Sequence, residues 1–158
     1  MASSEKNLSK HSHKNIQDIS DKTFALIVSE WNEEVTEALY RGAVDTLLKN
    51  GASEQLIIRK NVPGSFELSL GAQWMAQKPE VDAVICLGCV IQGETKHFDF
   101  ICDAVAHGLT QVGLKYNKPV IFGVLTPNNQ QQALDRAGGV HGNKGDEAAI
   151  TAIKMLGF

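Results

Sequence analysis

Four stretches of the chain gather residue types capable of acid–base, anion-binding or ring-stacking chemistry. Gly93-Glu94-Thr95-Lys96-His97 is the richest. Gly93 lets the backbone approach a ligand closely. Thr95 is placed to cap a following helix, whose free first-turn N–H groups suit a phosphate or carboxylate. His97 enters at that first turn, where an imidazole can give or take a proton near neutral pH. The competing view of His97 is a surface histidine on a helix. Val62-Pro63-Gly64-Ser65-Phe66-Glu67 is a turn running into a second helix. Pro63 and Gly64 fix the turn, Ser65 is a candidate cap, and Glu67 brings a carboxylate that suits a hydroxyl-rich ligand. Arg136 and Lys144 stand around Gly138, Gly139, Gly142 and Gly145 with no partner evident in the sequence. A guanidinium there can hold a phosphate bidentately. Trp31 offers a face on which a planar ring can stack, although its type alone makes a core position the default.

These residues need a scaffold, and the hydrophobic pattern supplies one. Residues 23–29 form a short apolar, partly β-branched run. Residues 33–50 carry a helical period that puts Val35, Leu39, Ala43, Leu47 and Leu48 on one side, with Asn50-Gly51 as the stop. A second strand is expected over 54–60, a second helix over 65–77, a third strand over 81–89, a third helix over 97–116 and a fourth strand over 119–126. Helices over about 128–137 and 145–156 close the chain. Strands alternating with helices predict βαβ units and a parallel sheet. The third and fourth strands are apolar nearly throughout, as a sheet covered on both faces requires. Right-handed crossovers then give a three-layer α/β/α sandwich around a four-stranded parallel sheet. Functional loops of such sheets lie beyond the C-terminal strand ends, here residues 30–32, 61–65, 90–96 and 126–128.

Composition narrows the class. The 158 residues suit one domain, and 43% hydrophobic with 21% charged residues permits a true core. Lys plus Arg is 15 against 18 for Asp plus Glu, without the basic excess of a nucleic-acid binder. No apolar run approaches the roughly 20 residues that span a bilayer, and the start lacks the apolar stretch of a signal peptide. Three cysteines, an odd and small count, fit a reducing compartment. The expectation is a cytoplasmic protein without nucleic-acid or membrane partners. Residues 1–21 are polar and read as a mobile or loosely docked extension ahead of a domain at 22–158. His11 and His13 in that extension read as a solvated tail, because a metal site needs at least a third ligand. Cys86 and Cys89 have C-x-x-C spacing, but strand residues three apart face opposite ways, so the thiols are not expected to meet. No glycine-rich dinucleotide or P-loop motif is present.

Trp31-Asn32, VPGSFE at 62–67, LGCVIQGETKHFD at 87–99, PVIFGVLT at 119–126 and RAGG with GNKG at 136–145 occur in this order. Together, over about residues 22–157, they make the chain resemble the lumazine synthase family. The resemblance implies a flavodoxin-like α/β/α fold. It also implies the condensation of 5-amino-6-(D-ribitylamino)uracil with 3,4-dihydroxy-2-butanone 4-phosphate to 6,7-dimethyl-8-ribityllumazine. That reaction needs proton transfers and implies neither a metal nor a cofactor.

By position, the resemblance places Trp31 where the family usually has a Phe stacked on the pyrimidine. Ser65, Phe66 and Glu67 fall on the segment holding the ribityl chain, and Val90 and Ile91 on backbone contacts to the ring. Gly93, Glu94 and Thr95 fall on the phosphate-side loop, Arg136 on the phosphate-binding arginine and His97 on the acid/base histidine. Phe122, Arg136 and Lys144 match residues that a neighbouring subunit supplies. Gln92 stands where many members have Arg and receives no role. Family members form pentamers, many of which build 60-subunit shells; the short Gly138–Gly145 link points to a shell, with riboflavin synthase as a candidate partner. The rival readings are a non-catalytic shell-forming or flavin- or lumazine-binding homologue, and a flavodoxin-like binding or signalling module. Against the module, Ser29-Glu30-Trp31-Asn32-Glu33 is not a Ser/Thr/Gly-rich phosphate loop, and Gly88-Cys89 supplies no aspartate cluster.

Overall fold

The computed structural model describes residues 17–158; His11 and His13 lie outside the described residues. Strands β1 (Phe24–Ser29), β2 (Ile57–Val62), β3 (Ala83–Cys89) and β4 (Val120–Leu125) form one sheet in the order β2-β1-β3-β4. Every pairing in it is parallel. Helices α1 (Glu33–Lys49), α2 (Leu68–Ala76), α3 (His97–Tyr116), α4 (Gln130–Leu134) and α5 (Lys144–Leu156) complete the body. α1 packs with α5 on one face, and α2 with α3 on the other. This is the expected three-layer sandwich.

Strand alternation divides the core. Leu26, Val28, Ile85 and Leu87 pack with Leu39, Leu47 and Ile153 on the α1/α5 side. Ala25, Ile27, Val84 and Cys86 pack with Leu68, Met75 and Leu109 on the α2/α3 side. The two central strands are buried along their whole length, so neither face alternates toward water. Cys86 and Cys89 fall in opposite core clusters, as their spacing requires. Ile19 is fully buried and joins the α1/α5 core, which docks the end of the N-terminal extension nearest the fold.

Several local expectations are corrected. Residues 54–56 form a 3₁₀ turn, and β2 begins only at Ile57 but runs on to Val62. The segment from Ser65 is not one helix: Ser65–Glu67 is a 3₁₀ turn and α2 starts at Leu68. Its tight entry is held by the Glu67 carboxylate, which accepts the Gly64 N–H at 3.0 Å. Ser65 does not cap; its hydroxyl has no partner. Leu48 is exposed rather than on the buried face of α1.

α4 has five residues instead of about ten. The chain then reverses into a small antiparallel hairpin, β5 (Ala137–Gly139) and β6 (Gly142–Asn143). The Lys144 N–H reaches back to the Arg136 carbonyl at 2.9 Å, and His141 N–H to Asp135 at 2.8 Å. Gly138 and Gly142 adopt φ values of 113° and 75°, a region that glycine enters without a Cβ clash. The glycine-rich link is thus a defined turn that fixes the spacing of Arg136 and Lys144.

Candidate active site

Trp31 follows β1 directly, and the chain on either side of it is pinned. Its own N–H bonds to the Pro63 carbonyl at 3.2 Å, while Glu30 N–H extends the β1–β2 pairing to Val62 at 2.9 Å. Asn32 then turns left-handed, with φ 61°, to start α1. Its side-chain amide donates to the Cys89 carbonyl at 2.8 Å, tying the end of β1 to the end of β3. The indole is left 73% exposed, which overturns a core role and makes it a presented ring. It stands beside Gly64: a Cβ there would lie 3.4 Å from Trp31 Cδ1.

Around this ring the strand ends form a cavity of about 750 Å³. Trp31, Ser65, Phe66, Glu67, Val90, Ile91 and His97 line it, together with Asn32, Gly64, Cys89 and Ile101. The volume suits a small organic ligand. Val90 is held by its N–H to the Leu125 carbonyl at 2.8 Å, and Gln92 by its N–H to Pro127 at 3.0 Å. His97 opens α3 with an exposed side chain, and its N–H points at Thr95 Oγ1 at 3.4 Å. Gly93, Glu94 and Thr95 form an exposed loop beside this cavity and line neither it nor the one described next.

A second cavity, of about 590 Å³, lies outside edge strand β4. Phe122, Arg136 and Lys144 line it with Gln132, Glu147 and Thr151. Phe122 projects 44% exposed from the strand. Arg136 Nη1 donates to the Gln132 carbonyl at 3.0 Å, which sets the guanidinium on the cavity wall. Lys144 is not partnerless as expected: it pairs with Glu147, three residues on along α5, and both are largely buried. That i,i+3 spacing was the available signal. Ile101 was also missed, because only the fold brings this α3 residue to the first cavity.

The first cavity therefore offers an aromatic face, a carboxylate, a hydroxyl and an imidazole. The second offers the Arg136 guanidinium, the Lys144–Glu147 ion pair and an aromatic edge. These two sets of groups lie at two separate places on one chain.

A family model described as 6,7-dimethyl-8-ribityllumazine synthase matches residues 21–158. The chain belongs to this family. It is 68% identical over 156 residues to the 6,7-dimethyl-8-ribityllumazine synthase of Cytophaga hutchinsonii, covering 99% of this chain and 98% of that protein. It is 56% identical to the family's protein from Flavobacterium johnsoniae, over 98% of this chain and 82% of that one. It is 50% identical to that from Parabacteroides distasonis, over 100% and 99%. The family body begins at Asp21, just after the buried Ile19. Among the described residues, no helix is long and apolar enough to cross a membrane, and no three His, Cys, Asp or Glu are grouped to hold a metal.

Proposed function

We infer that this chain catalyses the condensation of 5-amino-6-(D-ribitylamino)uracil with 3,4-dihydroxy-2-butanone 4-phosphate to 6,7-dimethyl-8-ribityllumazine, releasing phosphate and water. The observation carrying the site assignment is the division of chemistry between the two cavities. Trp31 stacks on the pyrimidine, Ser65, Phe66 and Glu67 take the ribityl chain, and Val90 and Ile91 meet the ring through their backbone. His97 moves protons as the amine adds to the ketone and the phosphate departs. Gly93, Glu94 and Thr95 border the phosphate side, where a neighbouring copy contributes Phe122, Arg136 and Lys144. Each active site is thus built from the first cavity of one chain and the second cavity of the next.

Holding two substrates in register can contribute roughly 7–11 kcal/mol, whereas one acid/base group contributes roughly 10²–10⁴-fold. Positioning therefore outweighs proton transfer, which suits a site made mostly of shape, stacking and charge. The direct test is to mix the two substrates with purified protein and follow lumazine absorbance and phosphate release. Both signals must rise together; binding of either substrate without turnover would indicate a non-catalytic homologue.

A head-to-tail contact between unlike surfaces closes into a ring when the rotation between copies divides the circle evenly, and the reading is a pentamer, with twelve pentamers in a 60-subunit shell. Phe66, Leu70 and Trp74 are all exposed at four-residue spacing, and Phe100 and Leu114 add to the α2/α3 surface. Apolar side chains so arranged favour cover by another copy. The compact β5–β6 link supports the shell. Sedimentation of purified protein tests it: a species of 60 subunits supports the shell and a pentamer refutes it. The proposed setting is the cytoplasm, with riboflavin synthase as a partner.

A further inference from the structure

We propose that Glu147 sets how tightly the phosphate substrate, and the phosphate that departs from it, are held. It cancels the charge of Lys144 and leaves Arg136 as the one unpaired cation of its cavity among the described residues. This rests on the functional reading above and adds a residue to which that reading gives no role.

The second cavity holds two cations in unlike states. Arg136 lines it without a carboxylate partner: its Nη1 donates to the Gln132 carbonyl at 3.0 Å, and no ion pair of the described residues includes it. Lys144 is paired with Glu147, and both side chains are only 16% exposed. The backbone of Lys144 is already fixed. Its N–H donates to the Arg136 carbonyl at 2.9 Å, and the preceding Asn143 ties α5 to α1 by donating its side-chain amide to the Ala38 carbonyl at 2.9 Å. This turn therefore holds without Glu147, whose effect falls on the ammonium. The neighbouring acid, Asp146, points elsewhere. A Cβ on Gly42 of α1 would stand 2.4 Å from Asp146 Oδ1, and Asp146 does not line the cavity. Among the described residues, Glu147 is the only carboxylate on the cavity wall.

Charges this sheltered from water are screened little by salt. Two unpaired cations would attract a phosphate dianion more strongly than one. The reaction, however, releases phosphate in every cycle, so the charge that helps the substrate bind also slows departure of the product. With Lys144 neutralised, the cavity presents the charge of a single cation. Arg136 can then hold the phosphate by its fork of N–H groups without a second positive charge retaining it. A pair that only braced α5 would serve equally well on the solvated side of the helix. This one faces the same cavity as Arg136.

The test is calorimetric titration of the full-length protein with inorganic phosphate at low ionic strength, alongside inhibition of turnover by added phosphate. Glu147→Gln keeps the side-chain shape but frees the ammonium. It should bind phosphate about 5- to 20-fold more tightly and be inhibited at correspondingly lower concentration. Lys144→Met leaves the carboxylate alone in the cavity and should weaken phosphate about 5- to 20-fold. The double variant Lys144→Met/Glu147→Gln should return to within about threefold of wild type, because the pair carries no net charge. Tightening is the decisive sign, since loss of a merely structural residue would weaken binding. Unchanged or weaker phosphate binding in Glu147→Gln, or a double variant as weak as Lys144→Met, would overturn the proposal. If Glu147→Gln does not fold, Lys144→Met and the double variant decide the matter. Wild-type protein that binds phosphate but does not turn over the two substrates would overturn the functional reading alone. Wild-type protein that binds no phosphate would overturn both.

Discussion

His97 and Arg136 line different cavities of the same chain. His97 borders the cavity at the ends of β1 and β3, and Arg136 the one outside edge strand β4. The proton-transfer role proposed for His97 and the phosphate-anchoring role proposed for Arg136 are therefore separable by mutation. His97→Ala should lower kcat by about 10²–10⁴-fold and still leave measurable turnover. Arg136→Ala should raise KM for the phosphate substrate by about 10- to 100-fold, the worth of a hydrogen bond to a charged group. Steady-state kinetics with each substrate varied in turn checks both. Complete loss of activity with wild-type binding in the first variant, or an unchanged KM in the second, would contradict the assignment.

The crossing of α1 and α5 depends on Gly145. A Cβ there would sit 1.9 Å from the Leu39 carbonyl oxygen and 2.7 Å from its carbon. Backbone cannot yield as a side chain does, so the helices must separate. Gly145→Ala should destabilise the fold by about 1–3 kcal/mol, read from denaturant midpoints. It should also raise KM for the phosphate substrate, because Lys144 precedes it in the chain.

The two β3 thiols should be inert in the folded protein. Burial pushes the Cys86 thiol far above its ordinary range and the Cys89 thiol up to about 12. Cys102 is raised first by burial and then by the charge of Asp99, yet it is only half-buried. A thiol reagent at neutral pH should label no more than Cys102 before unfolding, and all three cysteines after it. Rapid reaction of two thiols in the native protein would contradict this.

Two carboxylates give opposite slopes on acidification. Arg59 holds Glu37 through Nη1 to Oε2 at 3.1 Å and through Nη2 to Oε1, and keeps its carboxyl below the ordinary range. The unfolded chain takes that proton first, so stability is lost as pH falls through the folded value. Burial raises Asp146, with Lys49 and Thr46 opposing. There the folded state takes the proton first, and stability is gained as pH falls toward the ordinary aspartate range. Melting curves should show Asp146→Asn removing the gain and Glu37→Gln removing the loss. The Glu37 effect should stay within about 1 kcal/mol, since the pair is partly solvated.

The sheet was legible because β1 and β3 are apolar without interruption and α1 keeps its period through Val35, Leu39, Ala43 and Leu47. The first cavity was legible because the strand-end rule and the motifs select the same loops. What escaped were features decided by contacts distant in sequence. Exposure of Trp31 depends on Pro63 and Cys89 holding the turn around it. The shortening of α4 depends on hydrogen bonds from His141 and Lys144 that form only once the chain has reversed. The room for the buried Ser65 hydroxyl depends on Gly88 of another strand, where a Cβ would stand 2.6 Å from it. Local propensity contains none of these.

The central claim is that one site is shared by two chains, and complementation tests it most directly. His97→Ala and Arg136→Ala protein should be unfolded together, refolded as a mixture and assayed at low phosphate substrate, with the double variant as control. If each site takes its first cavity from one chain and its second from the next, random assembly restores both groups to about a quarter of the sites. Activity should then rise above the mean of the two parents, toward about a quarter of wild type. Activity equal to that mean would contradict a shared site and place all the residues within one chain.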